Sequence, residues 1–259
     1  MQNKQNFYRI IIITGGEINH KYFCNKISEK YNVVHIFKIH SSLSDEEYFN
    51  SVYKDYNEYD KKIIDTVVKQ RIEAQKEFLL PEGNDFSDIA ITHYRDGYLI
   101  NDDKTISKII SFKPTHILLY GAPLLKSNFI NAMNCPLINL HMGVATKYRG
   151  GSANNIAFLK RDYENVGYTF HHVTTAIDGG KMIYIGRYKN YKENDNPHKI
   201  TFKLLIDAVN VLKGIIPEIK HKVNENELGL PPYLPNEIFK VSDFEKVSDD
   251  FKSCMHLKE

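Results

Sequence analysis

Residues 9–14 read RIIIIT, an unbroken apolar and β-branched run that suits a strand buried on both faces. Gly15 and Gly16 end it, and Tyr22, Phe23, Ile27 and Tyr31 then fall at helical spacing. Residues 33–39 return to a strand pattern, so the opening is strand, turn, helix, strand, as in a Rossmann-like sheet. Over residues 44–80 the pattern is helical, with Asp45 and Glu46 early and Ile63, Ile64, Val67, Val68 and Ile72 on one face. Tyr48, Phe49, Tyr53, Tyr56 and Tyr59 ride on this stretch, either as packing or as a lining for a sugar or base. Residues 81–85 (PEGND) break the helix. A short strand is expected at 89–92, a loop at 97–101 in which Asn101 is a cap or turn residue, and a helix at 103–111. Residues 114–119 (PTHILL) predict another buried strand, and 137–141, 167–171 and 182–187 three more. A polar loop at 190–198 leads to a helix at 201–212, whose apolar face either closes the core or meets a second subunit in a homodimer. Beyond Lys222 the PPYLP run and mixed charges predict an extended appendix rather than a domain. The fold class is α/β: a Rossmann-like, mostly parallel sheet with helices on both faces, plus a short C-terminal appendix.

Candidate chemistry concentrates between residues 136 and 182. If 137–141 is extended, its side chains alternate, so Asn139 and His141 point one way and Leu140 the other. An amide donor and an imidazole then project side by side where a buried strand runs out, which is where ligands bind in an open parallel sheet. Residues 167–171 supply a second strand, and Asp178-Gly179-Gly180 a turn, so an Asn, a His and an Asp can converge on one reacting centre. Taken singly, each has a plainer reading as a strand end, a hydrogen-bonded structural histidine or a turn residue.

Composition narrows the partners. At 259 residues the chain can bury a substantial core without staples. A formal net charge of +2 gives no case for nucleic acid, whose binders concentrate basic charge. Cys24, Cys135 and Cys254 lack C-x-x-C spacing, so neither a zinc site nor a disulfide framework is expected, and Cys135 reads as a buried structural thiol. No apolar run approaches membrane-spanning length and the first residues lack an apolar core, so a cytoplasmic location is expected.

Four motifs stand in order: N-x-H at a strand end (Asn139, His141), a Y-R-G loop (Tyr148, Arg149, Gly150), a G-x-T-x-H strand (Gly167, Thr169, His171) and a D-x-G turn (Asp178, Gly180). This succession resembles the N10-formyltetrahydrofolate-dependent formyltransferases, most of all the sugar N-formyltransferases. One departure is that many members carry a Ser-Leu-Leu-Pro-like run after the histidine, where this chain has MGVAT at 142–146. The resemblance implies a catalytic domain over residues 1–222 with a C-terminal extension over 223–259, N10-formyltetrahydrofolate as cofactor, and no metal. It implies that Asn139, His141 and Asp178 are the catalytic trio, with Thr169 and His171 supporting them from behind. It further implies that Leu119, Tyr120, Gly121, Ala122, Pro123, Leu124, Leu125 and Ile177 enclose the pterin ring. Acceptor contacts fall to Gly15, Gly16, Asn19, Lys147, Tyr148, Arg149 and Gly150, although Gly15, Gly16 and Asn19 equally suit a plain tight turn. In formyl transfer an amine attacks a carbonyl carbon, so the site must stabilise an oxyanion and move protons. Asn139 can donate to the oxyanion, His141 to the same oxygen, and Asp178 can orient the imidazole and collect the amine proton through water.

The acceptor is read by contrast. A transfer-RNA substrate calls for an added basic C-terminal domain, and this tail is short and mixed in charge. Formyltetrahydrofolate hydrolases carry an N-terminal regulatory domain, whereas the first strand here starts almost at once. Acceptors of the purine pathway call for an anion-friendly first loop, which Glu17 at the start of the first helix argues against. That leaves small amines, and the YRGGS loop at 148–152 with the Tyr-rich stretch at 44–59 suits an amino sugar, linked to a nucleotide or free. An amino-acid side-chain amine, hydrolysis of the cofactor and a non-catalytic folate-binding module are the alternatives.

Overall fold

The computed structural model describes residues 5–39, 57–79, 89–235 and 239–256. Tyr48, Phe49, Tyr53 and Tyr56, and the break expected at 81–85, lie outside the described residues. In chain order the elements are β1 (Gln5–Thr14), α1 (Ile18–Lys30), β2 (Tyr31–Ile39), α2 (Glu58–Phe78), β3 (Ile91–Tyr94), α3 (Asp103–Ser111) and β4 (His116–Tyr120). There follow α4 (Ser127–Ala132), β5 (Leu137–His141), α5 (Ala153–Leu159), β6 (Gly167–His172), β7 (Met182–Arg187), α6 (Pro197–Ile215) and α7 (Val241–His256). The seven strands form one sheet in the order β3-β2-β1-β4-β5-β6-β7. The first five run parallel, while β5 with β6 and β6 with β7 are antiparallel. This is the mostly parallel α/β architecture expected from the sequence, with the order reversing between β2 and β4 around β1.

The β-branched run of β1 is central for a physical reason. Ile10 and Ile12 face one layer of helices while Ile11 and Ile13 face the other, and all four are fully buried. On the first face lie Phe23 and Ile27 of α1, Ile156 and Phe158 of α5, and Phe202, Leu205 and Val209 of α6. On the second lie Ile106 and Ile109 of α3 and Phe129 and Ile130 of α4. The apolar face of α6 thus closes the core of this chain. Asn57 caps α2 by accepting from the Asp60 amide, and Asn196 caps α6 in the same way through Lys199.

The C-terminal stretch differs from the extended appendix that its composition suggests. Residues 225–234 carry no helix: Asn226 bridges to Gly180 and Tyr233 to Arg149, with a turn at Leu228 and Gly229 between them. The chain then forms α7, in which Val241, Phe244, Val247 and Phe251 fall at helical spacing. Its Val247 and Phe251 join the main core, with the Phe251 ring edge-on to Phe158 at 6.0 Å. Among the described residues no helix is long and apolar enough to cross a membrane.

Candidate active site

Parallel strands bring Thr14, Tyr120 and His141, the last residues of β1, β4 and β5, to one edge of the sheet. Leu119, Asn139 and His171 are register partners across β4, β5 and β6, so their side chains form a row on one face. Asn139 and His141 share that face, as alternation on an extended strand requires. The loop after β5 then separates their fates. Thr169, opposite His141, donates its hydroxyl to the Gly143 carbonyl at 2.7 Å and accepts from the Ala145 amide at 3.0 Å. This holds residues 143–148 over the imidazole, leaving His141 only 6% exposed. Glycine is needed at 143, because a Cβ there would stand 2.5 Å from His141 Nε2.

Asp178 enters from the turn after β6. Its φ of 46° lies in the left-handed region, which Asp tolerates better than most residues. Its Oδ2 accepts from the Gly150 amide at 3.0 Å and lies 3.3 Å from His141 Nδ1. Its Oδ1 lies 3.5 Å from both Asn139 Nδ2 and His171 Nε2. Burial on its own would raise the Asp178 pKa, but His141, His171 and the Gly150 amide outweigh it and hold the carboxyl well below the usual range. His141 has acceptors at both ring nitrogens, with Nε2 3.0 Å from the Tyr148 carbonyl. A second ring proton is therefore favoured by Asp178 and opposed by burial; burial is the larger effect, and the His141 pKa falls below its ordinary value.

The trio is thus contiguous, but Asn139 and Asp178 line a cleft that His141 does not. This cleft of about 250 Å³ is walled by Leu119, Ala122, Pro123, Leu124, Leu125, Val173 and Ile177, and its polar end is made by Asn139, Asp178 and His171. His141 stands behind Asp178, and it is His171 that reaches the cleft. Tyr120 and Gly121 do not line it. The Tyr120 ring points to the opposite face, where its hydroxyl accepts from Asn19 Nδ2 at 2.9 Å. Gly121, at φ +60°, accommodates His20: a Cβ there would lie 2.1 Å from the imidazole Nε2. Gly15 presses on the same ring, its Cβ position being 2.6 Å from Cε1. Gly16 follows it in the turn before α1, whose first residues Glu17 and His20 close a capping box. Glu17 is also ion-paired with Arg71.

Of the remaining expected acceptor contacts, Lys147 is exposed. Tyr148 is buried, and its hydroxyl donates to Asp162 at 2.7 Å. Arg149 donates Nε and one terminal nitrogen to the Ile177 carbonyl (2.9 and 2.5 Å) and the other to the Pro231 carbonyl at 3.0 Å. Its guanidinium therefore ties the Asp178 turn to the C-terminal stretch. Gly150, at φ +112°, gives its amide to Asp178.

One residue that shapes the cleft carried little signal. Asn101 is buried, accepts from the Lys126 amide at 2.7 Å and donates to the Leu124 carbonyl at 3.1 Å, so it sets the loop that forms one cleft wall. Its sequence context, just ahead of a helix, offers only the cap or turn reading. Among the described residues no three His, Cys, Asp or Glu side chains gather as a metal site requires.

The formyl transferase family profile matches residues 54–210, more than half of the chain. Methionyl-tRNA formyltransferase of Staphylococcus aureus (strain Newman) is 30% identical over 103 residues, which is 40% of this chain. The chain spans only 32% of that relative's length. A solved sugar N-formyltransferase from Shewanella sp FDAARGOS_354 superposes with a TM-score of 0.54 at 13% identity, covering 90% of this chain and 79% of that one. A sugar 3N-formyl transferase solved in the presence of dTDP and 5-N-formyl-THF gives a TM-score of 0.54 at 14% identity, covering 90% and 71%. At such identities the two structures show a shared fold. With the profile match over most of the sheet and its helices, this chain belongs to the formyl transferase family.

Proposed function

We propose that the protein transfers a formyl group from N10-formyltetrahydrofolate to the primary amine of an amino sugar, most readily one carried on a nucleotide. The observation that carries this reading is the junction of Asn139, Asp178 and His171 at one end of an apolar slot. Such a slot suits a flat heterocycle. Leu119, Leu125, Val173 and Ile177 provide apolar walls, with Ala122, Pro123 and Leu124 beside them. The folate supplies the one-carbon unit in activated form. The chain supplies position and field. Asn139 carries the amide that donates to the developing oxyanion once its nitrogen faces the cleft. Asp178, held ionised by its neighbours, stabilises the positive charge that develops on the attacking amine, whose proton leaves through water beside the carboxylate. His141 stands behind it as the counterpart that steadies its orientation.

α1 argues against an acceptor whose phosphate is seated at the start of that helix, and leaves a sugar free to bind elsewhere along the cleft. Its N-terminus, the natural seat for an anion, already carries the Glu17 carboxylate in its capping box. The fold is shared with sugar N-formyltransferases, one of them solved with dTDP. Such small, soluble substrates fit a cytoplasmic enzyme.

The test is to incubate the full chain with N10-formyltetrahydrofolate and follow its absorbance with nucleotide-linked amino sugars, free amino sugars and ornithine-like amines. Turnover with the nucleotide-linked sugars supports the reading. Full-rate loss of cofactor without any amine makes the protein a hydrolase. Turnover only with ornithine-like amines moves the acceptor to an amino-acid side chain, and binding without turnover leaves a folate-binding module.

A further inference from the structure

We propose that His171 is a positioning residue for Asn139, and that a proton on His171 Nε2 turns the Asn139 amide so that its nitrogen faces the cleft. The proposal rests on the formyl-transfer reading of this site.

The starting point is a tautomer. His171 Nδ1 lies 2.8 Å from the His172 carbonyl oxygen, which can only accept, so Nδ1 carries a hydrogen. In the neutral ring Nε2 is then a bare lone pair. Asn139 Nδ2 lies 3.0 Å from it and donates to it, and the same nitrogen lies 3.5 Å from Asp178 Oδ1. Both amide hydrogens are therefore turned toward the protein. Asn139 Oδ1 makes no hydrogen bond among the described residues and is not among the buried unpartnered atoms, so it is the atom presented to the cleft. An oxygen in that place repels an oxyanion, and the atom the chemistry needs there is the nitrogen.

Turning the amide over while His171 is neutral would set Oδ1 against the Nε2 lone pair and against Asp178 Oδ1, two contacts between acceptors. A proton on Nε2 reverses this. The N–H then donates to Asn139 Oδ1, with Asp178 as counter-charge, and Nδ2 swings to the cleft. The conclusion holds whichever way the amide stands at rest, because the donor-out arrangement is compatible only with the protonated ring. The groups that face His171 are Asn139 from β5, Asp178 from the turn with His141 behind it, and His172 on its own strand. Arg149 lies nearby on the Ile177 carbonyl.

The test is NMR on the full-length protein with 15N-labelled histidine and asparagine, with His171 assigned by its loss in His171→Gln. The expected result is a neutral His171 protonated on Nδ1, the rarer tautomer, with the Asn139 side-chain amide resonances shifting along the same curve as His171 takes up its second proton. A neutral ring protonated on Nε2, or an Asn139 amide indifferent to His171, overturns the proposal. This readout needs no turnover, so an absence of formyl transfer faults the functional reading and leaves this one standing. Kinetics supply the second measurement. In the wild type kcat falls about tenfold per pH unit above the His171 midpoint. In His171→Gln, whose amide offers a permanent N–H to Asn139 Oδ1, that limb disappears. A purely structural histidine would leave the slope in place, and an unchanged limb in His171→Gln overturns the proposal.

Discussion

Replacing Asp178 separates charge from backbone, because the residue carries both burdens. Its carboxylate is 13% exposed and accepts from the Gly150 amide beside two histidines, while its backbone sits at φ +46°. Asp178→Asn keeps a side chain that tolerates the left-handed region and removes the charge; Asp178→Ala loses both. A carboxyl whose native pKa is depressed contributes stability above its unfolded value of about 3.9, on the order of 2–3 kcal/mol at neutral pH. That contribution is lost as pH falls from the unfolded value toward the native one, at about 1.4 kcal/mol per pH unit. Urea unfolding at pH 7 should therefore place Asp178→Asn on the order of 2–3 kcal/mol below wild type, and at pH 3 the gap should narrow by about 1 kcal/mol. Asp178→Ala should fall a further 1–2 kcal/mol or so at both pH values, the cost of a left-handed Ala. A wild type–Asn gap undiminished at pH 3 would refute the assignment of a charge-based role. An Ala variant as stable as the Asn variant would show that the turn does not demand this backbone.

Four further outcomes are expected. Asn139→Ala should lower kcat about 100- to 1000-fold while far-UV circular dichroism and the urea midpoint stay near wild type; retained turnover would remove Asn139 from the reaction. Arg149→Met should cost on the order of 2 kcal/mol in urea unfolding, since it strips the donors from the Ile177 and Pro231 carbonyls, and Arg149→Lys should not restore it because a point charge cannot fork to both. Gly121→Ala should destabilise by clash with His20 as well as by its positive φ, and adding His20→Ala should recover only the clash, leaving roughly 1–2 kcal/mol of backbone strain. Burial pushes the Cys24 thiol up and the Cys135 thiol to about 11, so neither should react with thiol reagents until the protein unfolds; rapid labelling of the native state at pH 8 would contradict their placement.

Patterns of short range were legible in the chain. The unbroken RIIIIT run marks the central strand because burial on both faces leaves no polar position to interrupt it. The five residues of β5 were readable to the residue, and alternation alone puts Asn139 and His141 on one face and Leu140 on the other. Helix α3 was equally plain, from its apolar spacing and an acidic residue in its first turn. By contrast α7, six of whose sixteen residues are charged, has its partners Phe158 and Ile63 far away in the chain, and nothing local announces them.

What the amino-acid order determined by itself is the sheet, its buried strands, and the presence of Asn139, His141, His171 and Asp178 near one edge. Only the tertiary structure decided which histidine meets the cleft, that Arg149 is a clamp rather than a free cation, and that Gly121 makes room for His20. The reason is one of distance along the chain. Strand alternation follows from the geometry of neighbouring residues, whereas His141 is covered by a loop pinned through Thr169, and Arg149 is spent on carbonyls 28 and 82 residues away. Such contacts exist only once the chain has returned on itself, and no local pattern records the return.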